Sequence, residues 1–540
     1  MRRLAGLLAC SILLLPAGAS GRSAGQPPRL AGISIANGSS PFAGDGQLLT
    51  TVSPNGDGFR DRAIVSFRLD RRATVKMEAI RTDLVRAGRP SANVIWFRAV
   101  ELGAGKHRLA WTPSRKTSPR TYVLRLRATD ARGRVRVYEN ARPGGPARAP
   151  VVRVQGIDVG FPLRSYAQGE RADVSLATDA RTLELQVFAY SRTSREGVED
   201  YRTSGLAMTP PLRVDWSGHR NGPGLLRFVR AGEWPSGLYF LRAKALDGRV
   251  GYAPLIVRPR VPGGSRIAVV LATNTWQAYN FLDGDGDGWG DSWYVSGALR
   301  HVDLRRPYLD FGLPFRFKDW DLTFIAWLNR TGKHVEFLSD DDLDRFRSGD
   351  RLASTYDLVV FPGHEEYVTA HTYDVVERYR KLGGNLIFLA ANNFFWKVRR
   401  EGGRLERVQL WRKLGRPEAR LVGAQYVGSD HGSRQAPYRV TGADKAPWLF
   451  AGTGLTNGDS LGSSYGIEID ARTRDSPPGT LLLAQIPNLM GAGRSAEMTY
   501  YETAAGAKVF AAGTINFAAT LERPDVSRLV ENLWTRLSRP

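Results

Sequence analysis

Residues 266–273, RIAVVLAT, open the part of the chain whose pattern decides the fold. Two more continuous apolar runs follow, TYDLVVFPG at 355–363 and GNLIFLAAN at 384–392, with helical patterns between them. Strands that are apolar on both faces and joined by crossover helices are typical of parallel sheets. The sequence therefore predicts an α/β domain with a mostly parallel sheet over residues 266–540.

The helix predicted at 371–382 shows the second half of this pattern. Tyr373, Val376 and Tyr379 recur at three-residue steps, and Gly383 with Gly384 supplies a stop signal. A late strand, KVFAAGT, and a terminal helix that begins at Pro524 complete the domain.

The N-terminal half has a different sequence pattern. Segments such as AIVSFRL (63–69) and TYVLRLRATD (121–130) alternate apolar and polar residues and are broken by Gly, Pro, Asn and Asp. This pattern favours the strands of β-sandwiches. We predict two such domains, one at 26–145 and one at 150–260, joined by the Pro/Gly-rich stretch ARPGGPARAP.

The first residues predict export. Met1-Arg2-Arg3 precedes the apolar run LAGLLACSILLLP and a small-residue pattern that ends at Ala19, as in a secretory signal peptide over residues 1–19. The segment LLAC faintly resembles a lipid-attachment site, but the apolar run continues past Cys10. Cys10 is the only cysteine, so the mature protein has no thiol chemistry. No later stretch approaches the roughly 20 apolar residues of a membrane helix. We expect a secreted protein, extracellular or at the cell surface.

The composition is that of a folded protein of several domains. At 540 residues, with 42% hydrophobic and 24% charged residues, roughly three or four domains are expected. The net charge is +23, yet only 11 of the 76 basic residues are Lys, and the Arg residues are scattered. This scatter indicates an Arg-rich genome or anionic surroundings, such as a cell-envelope polymer, and not a nucleic-acid site.

Polar and aromatic residues follow all three predicted parallel strands. These segments are Thr273–Asn280, His364–Tyr367 and Ala391–Trp396. In open α/β sheets, ligands bind at the carboxyl ends of the strands, so we expect the three segments to meet. His364 and Glu366 can share one crevice and serve a metal or a water. The alternative for these residues is a purely structural role. His364 and Glu366 can cap a helix, a tyrosine such as Tyr279 can belong to the core, and Asn392 can bond to loop backbone groups. Glu468 can reach the same site from a strand.

Two acidic turns are candidate calcium sites. Residues 283–294 place Asp283, Asp285, Asp287 and Asp291 in a D-x-D-x-D-G pattern, although Tyr294 stands where an EF-hand loop has its bidentate Glu. SPNGDGFRD, at 53–61, likewise spaces Asn55, Asp57 and Asp61. The alternative for both turns is a solvated acidic loop.

Two family resemblances rest on these motifs. SPNGDGFRD with TYVLRLRATDARGR resembles the Ig-like domain of flagellar hook-capping proteins. The second resemblance rests on five motifs: NTWQAYN, RPY (306–308), GHEEY (363–367), GGNLIFLAANNFFW and VFAAGTINFA. Together they resemble the C-terminal domain of the N,N-dimethylformamidase large (beta) subunit family. The second resemblance implies a fold like that of class I glutamine amidotransferases, without the cysteine nucleophile.

The resemblance also implies an amide-hydrolysing site with a mononuclear ferric iron held by two tyrosinates and a glutamate. By motif these are Tyr279, Tyr308 and Glu366, with Tyr294 as the rival for the second tyrosine. His364, Asn392 and Glu502 match polar neighbours that would orient water or substrate. The chain departs from the family pattern at 283–294, where a Gly-Gly and Ser-Leu-Tyr segment is usual, and at Val368, where Trp is usual.

Three functional hypotheses follow. The first is an exported metal-dependent hydrolase of a small or surface-bound amide or related C–N bond. The alternative is a non-catalytic protein that binds envelope polymers and carries a degenerate enzyme domain. The third is a surface protein stiffened by calcium.

Overall fold

The computed structural model describes residues 25–86, 89–190, 205–231, 234–294 and 299–539. The predicted signal peptide, residues 1–19, lies outside these ranges. The described chain is rich in β-structure and forms several sheets. Three regions are distinguished below by their sheets.

The first region consists of two sheets over one core. Three strands form a sheet in the order β1-β3-β6; five form the second in the order β2-β9-β7-β4-β5, with β8 beside β7. Val65, Met77, Trp111 and Leu124 are buried between the sheets. The strands are β1 (Leu30–Ala36), β2 (Leu49–Val52), β3 (Ala63–Leu69), β4 (Ala73–Arg86), β5 (Arg89–Leu102), β6 (Gly105–Trp111), β7 (Arg120–Thr129), β8 (Val135–Tyr138) and β9 (Val151–Val154).

Strand β9 corrects the predicted division of the N-terminal half. Its residues were expected to open the second sandwich, but β9 pairs with β2 and β7 of the first region. The Pro/Gly-rich stretch before it is a loop within one sheet and not a linker. Asn140 fixes this loop, because its side-chain oxygen accepts hydrogen bonds from the backbone of Arg148 and Ala149.

The second region repeats the two-sheet arrangement. Its sheets have the orders β10-β12-β16 and β11-β18-β17-β13-β14, with β15 beside β13, and Val174, Leu185, Trp216 and Leu241 fill the core. The strands are β10 (Asp158–Gly160), β11 (Ser165–Ala167), β12 (Arg171–Ala177), β13 (Thr182–Ala189), β14 (Leu206–Ala207), β15 (Leu212–Asp215), β16 (Gly224–Arg230), β17 (Gly237–Ala245) and β18 (Val250–Arg258).

The third region is built on a nine-stranded sheet in the order β21-β19-β22-β24-β33-β32-β31-β28-β29. The remaining strands form a four-stranded sheet, β20-β26-β25-β23, and the pair β27-β30. The strands are β19 (Ile267–Leu271), β20 (His301–Asp303), β21 (Glu336–Ser339), β22 (Leu358–Phe361), β23 (Tyr367–Thr369), β24 (Asn385–Phe388), β25 (Trp396–Glu401), β26 (Arg404–Leu410), β27 (Gln425–Ser429), β28 (Gln435–Val440), β29 (Ser460–Gly466), β30 (Glu468–Ala471), β31 (Leu481–Ile486), β32 (Ala496–Glu502) and β33 (Lys508–Ala511).

Helices lie between these strands, as the apolar pattern predicted. The α-helices are α1 (Thr273–Ala278), α2 (Leu309–Gly312), α3 (Thr323–Thr331), α4 (Asp340–Asp344), α5 (Gly349–Thr355), α6 (Ala370–Lys381), α7 (Ala419–Val422), α8 (Pro447–Phe450) and α9 (Pro524–Leu537). Ser339 caps α4 through a capping box with Asp342.

The large sheet is mixed and not mostly parallel. The four pairings from β21 to β33 are parallel, and the four from β33 to β29 are antiparallel. The parallel strands carry the continuous apolar runs of the prediction. A five-residue segment, 503–507, joins β32 to β33, whereas residues 441–459, which include α8, connect β28 to β29. Antiparallel neighbours need no crossover helix between them.

Each face of the sheet covers a separate core. On β19, Val269 and Leu271 face one apolar cluster while Ala268 and Val270 face the other, because successive side chains of a strand point to opposite faces. Six residues of the second region, among them Phe240, Tyr252 and Ile256, belong to the first of these clusters. The second and third regions therefore share a core. Within the described residues, every helix is too short or too polar to cross a membrane.

Candidate active site

The candidate site lies where three parallel strands end. Strand β22 pairs with β19 on one side and with β24 on the other, so the segments that follow these strands emerge side by side. Helix α1 follows β19 and ends at Tyr279, the segment after β22 carries His364 and Glu366, and Asn392 follows β24.

Glu366 is the centre of this cluster. The hydroxyl of Tyr279 donates a hydrogen bond to Oε2 of Glu366. The adjacent Tyr367 has its ring 6.0 Å from that of Tyr279, and its hydroxyl acts to lower the pKa of the Glu366 carboxyl. The backbone N–H of Glu366 donates to Oγ1 of Thr275 at 3.3 Å. All three side chains of this group are buried. Two phenols and one carboxyl group thus meet in the interior.

His364 lies between two carboxyl groups without touching either. Its Nε2 is 3.6 Å from Oε2 of Glu366 and 3.7 Å from Oε2 of Glu468. Only 1% of the residue is exposed, and neither ring nitrogen has a hydrogen-bond partner among the described residues. Leaving such a group unpaired in the interior costs about 1–3 kcal/mol, which indicates a position for a bound atom beside the imidazole.

Asn392 connects the loop after β24 to β30. Its Nδ2 donates to Oε2 of Glu468 at 2.9 Å, while its Oδ1 has no partner among the described residues. Its backbone has φ of +57°, a conformation that Asn tolerates better than most residues. Both oxygens of Asp470 accept from the backbone N–H of Asn392, at 2.8 and 3.1 Å, and so fix this strained position.

Burial sets the protonation of the cluster. It lowers the pKa of His364 to about 3, so the imidazole is neutral. Burial, and then the charge of Glu468, raise the pKa of Glu366 to about 8. Burial also raises the pKa of Glu468 to about 7 and that of Tyr279 well above its ordinary range. Such concentrations of displaced pKa values are a mark of functional sites.

The predicted residues are thus partly brought together. Tyr279, His364, Glu366, Asn392 and Glu468 form one cluster. Sequence reasoning did not single out Tyr367 or Asp470, although Tyr367 lies in the GHEEY motif and Asp470 is two residues after Glu468.

Tyr308 does not join this cluster through any contact of the described residues. Its ring lies 6.4 Å from that of Trp276 in helix α1, and its backbone is extended ahead of α2. The rival Tyr294 is nearer, with its ring 5.0 Å from that of Tyr279.

Glu502 also lies elsewhere. Its side chain is 45% exposed and pairs with Arg536 at 3.3 Å. It is the last residue of β32, and it is exposed although the four residues before it, Met498–Tyr501, are all buried. Glu468, and not Glu502, is the second glutamate of the cluster.

The residues on Glu366 fit an iron ion in their chemistry. A carboxyl group and two phenols are hard oxygen donors, which suit a ferric ion, and the unpaired imidazole of His364 is adjacent. In this set of ligands, Tyr367 is the second tyrosine, the role for which the sequence analysis had chosen Tyr308.

The loop at 283–291 is an acidic turn that contacts the first region. Oxygens of Asp283, Asp285 and Asp287 lie within 4.8 Å of one another, and Asp291 accepts from the backbone of Gly284 at 2.8 Å. Burial, and then Asp287, raise the pKa of Asp283 to about 8. In the turn at 53–61, Asp61 accepts hydrogen bonds from the loop backbone. Calcium binding by either loop stays a prediction.

Comparison with known proteins gives sequence relatives of one kind. The N,N-dimethylformamidase beta subunit of Paracoccus aminophilus is 24% identical over 341 residues, which cover 50% of this chain and 44% of that protein. The corresponding protein of an Alcaligenes species is 25% identical over 276 residues, 39% of this chain and 36% of that one. The matched part thus spans less than half the length of these relatives.

Among solved structures, trypsin-activated alpha-2-macroglobulin of Escherichia coli aligns with a TM-score of 0.23 and 11% identity, over 42% of this chain and 17% of that one. A score this low does not establish a common fold. The family comparison is broader: residues 225–528 match the family described as N,N-dimethylformamidase beta subunit-like, C-terminal. Since this match spans more than half of the 540 residues, the chain belongs to the N,N-dimethylformamidase beta subunit-like family.

Proposed function

We propose that the protein hydrolyses an amide or a related C–N bond at the Glu366 cluster. The relatives are named for action on N,N-dimethylformamide, so small amides are the first substrate class to test. The single observation that carries the proposal is the position of His364, a neutral buried imidazole whose Nε2 stands unpaired between Glu366 and Glu468.

Iron is the cofactor we propose, with Tyr279, Tyr367 and Glu366 as its ligands. When bound, a ferric ion would polarise a carbonyl and lower the pKa of water. The support is the donor set itself, since two phenols and a carboxyl group share one buried point.

The remaining side chains have roles that follow from their positions. The free Nε2 of His364 can accept a proton from the attacking water, whose oxygen bonds to the carbonyl carbon. Glu468 can donate a proton to the nitrogen as the C–N bond breaks, which releases an amine and an acid. The Oδ1 of Asn392 is unpaired and can accept a hydrogen bond from water or substrate.

The test is release of amine from a panel of small amides by the purified full chain. Glu366→Gln keeps the size of the side chain and should lower the rate by at least about 100-fold. Glu377→Gln is the matched control, since Glu377 pairs with Lys381 and Arg416 at the surface. Specific amide binding without any amine release would favour the alternative, a binding protein with a degenerate enzyme domain.

The finer assignments of fold and location are also proposals. We propose that the first two regions are Ig-like sandwiches, supported by their two-sheet cores, and that the third region is amidotransferase-like, supported by its parallel half-sheet with helices. We propose that the protein is exported and works on a small or surface-bound amide, where its net charge of +23 would attract anionic envelope polymers.

A further inference from the structure

An open cavity lies between the end of β18 and the segment that joins α4 to α5. It encloses about 540 Å³, and sites for small molecules usually measure roughly 300–1,000 Å³. None of the residues assigned above to the Glu366 cluster lines it. Leu338, on the edge strand β21, forms an apolar wall with Phe346, Pro259 and Pro262. The cavity can therefore hold an organic group and not only a small ion.

The charged side chains that line this cavity are mostly arginines. They are Arg258, Arg345, Arg347 and Arg351, against a single acid, Asp342. The carboxylate of Asp342 lies 3.3 Å from Nε of Arg258 and 3.1 Å from Nη1 of Arg345. Arg258 also pairs with Glu170, at 3.4 Å. Two of the four arginines thus have acidic partners.

The other two arginines, Arg347 and Arg351, supply a surplus of positive charge. Both are exposed to solvent, so a ligand in the open cavity can reach their guanidinium groups. Neither guanidinium has a hydrogen bond or an ion pair with any residue in the described part of the chain. Asp350, the acid next to Arg351, pairs instead with Arg378 at 2.9 Å. Two positive charges therefore remain for an anionic ligand.

We propose that this cavity binds an organic phosphate through Arg347 and Arg351. A guanidinium group presents its N–H donors in a planar fork that matches two oxygens of a phosphate. A phosphate dianion has enough oxygens for both forks, and its charge equals the surplus. A carboxylate carries one charge and two oxygens, so it would leave one arginine unpaired. Phe346 and the two prolines can cover the organic part of the ligand. This site does not rest on the proposed hydrolytic function.

The experiment titrates glycerol 3-phosphate into the full chain by calorimetry. The protein is first treated with a chelator and dialysed, so that no iron is present to bind phosphate. Arg347→Gln with Arg351→Gln should weaken binding by roughly tenfold or more. Arg68→Gln with Arg108→Gln is the matched control, because it removes the same charge from exposed positions of β3 and β6, and its affinity should equal that of the wild type. Glu366→Gln should also bind equally, which separates this site from the hydrolytic one.

A second titration distinguishes the two sources of such a phosphate. Poly(glycerol phosphate) that binds more tightly than the monomer, with the same loss in Arg347→Gln with Arg351→Gln, would assign the site to an envelope polymer. Weaker or equal binding of the polymer would assign it to a soluble ester.

Two results would overturn the proposal. One is a wild-type protein that does not bind glycerol 3-phosphate. The other is an equal affinity in the wild type and in Arg347→Gln with Arg351→Gln, or an equal loss in the control variant, which would show only general attraction to a cationic surface. Both double variants change exposed side chains and should fold as the wild type does, which thermal unfolding verifies.

Discussion

At the scale of single residues, Asp470 holds the strained backbone of Asn392. Asp470→Ala would leave the N–H of Asn392 unpaired in the interior, at a cost of about 1–3 kcal/mol of stability. Because Asn392 would then lose its orientation toward Glu468, we expect kcat to fall roughly tenfold with little change in KM. Steady-state kinetics and urea unfolding of the variant measure both effects.

Asp470→Asn provides the control for that prediction, because the amide keeps one oxygen that can accept from Asn392. It should retain most of the activity and stability. Equal losses in the two variants would show that the negative charge of Asp470, and not its hydrogen bonds to Asn392, is what matters.

Glu468 gives a pH dependence of stability with a definite sign. Its pKa is raised from 4.5 to about 7 in the folded protein, so the folded state retains a proton that the unfolded chain has lost. This contribution to stability is complete below about pH 4.5 and disappears as the pH rises through about 7, an effect of about 3 kcal/mol.

We therefore expect chelator-treated protein to lose thermal stability between about pH 5 and about pH 8. Glu468→Gln should flatten this decline, and Glu497→Gln, on the edge of the same region and paired with Arg472, should not. A decline of equal steepness in Glu468→Gln would contradict the assignment.

The sequence predicted site residues in the segments that follow the parallel strands. Tyr279, His364 and Asn392 lie in these segments, and the pairing of β22 with β19 and β24 brings the segments to one edge. Glu502 lies at the surface beside Arg536, and Tyr308 makes no contact with the cluster among the described residues. Both positions depend on tertiary packing, which no local pattern reveals. The role of Tyr367 was hidden because β23 has only three residues, too few to show a periodic pattern.

At the scale of elements, the loop at 283–291 joins the third region to the first. Nδ2 of Asn140 donates to the carbonyl of Asp287 at 2.8 Å, and Nε1 of Trp289 donates to the carbonyl of Asn140 at 2.8 Å. If the predicted calcium site exists, cation binding would relieve repulsion among the loop carboxylates and strengthen this junction.

We accordingly expect calcium to raise the thermal midpoint of the protein by a few degrees, and a chelator to reverse the rise. Asp285→Asn with Asp287→Asn should abolish the effect, whereas Asp374→Asn, on the surface beside Arg416, should preserve it. Calorimetry with and without calcium measures it. An unchanged midpoint in the wild-type protein would leave the loop as a solvated acidic turn.

Element prediction succeeded where one periodic pattern dominated. The segment AIVSFRL is β3, with alternate residues buried, and the helix predicted at 371–382 is α6, which begins one residue earlier. Of the strands from β27 to β32, β30 was predicted from the alternation around Glu468. The others were not, because short strands between Gly-rich segments resemble loops. Strand β9 was assigned to the wrong region, since a Pro/Gly-rich stretch looks the same in a linker and in a loop.

At the scale of the whole molecule, the shared core makes the second and third regions interdependent. The family match begins at residue 225, ahead of the predicted boundary at 260–266, and so includes β17 and β18. Phe240, Tyr252 and Ile256 from these strands complete the core over one face of the large sheet.

Residues 266–540 expressed alone should therefore expose apolar surface. We expect this fragment to aggregate or to bind a hydrophobic dye, while residues 156–540, which begin after β9, remain soluble and fold cooperatively. Far-UV circular dichroism, dye binding and thermal unfolding compare the two fragments. A cooperative, dye-free fragment of 266–540 would show that the shared core is dispensable.

The central claim is that distant parts of the chain bring two phenols and a carboxyl group to one iron ion. Iron analysis with a visible absorption spectrum of the purified full chain tests it most directly. We predict stoichiometric iron and a phenolate-to-iron absorption band, with both lost in Glu366→Gln and the band altered in Tyr279→Phe and Tyr367→Phe but not in Tyr308→Phe. A colourless protein that takes up no iron on reconstitution would contradict the claim.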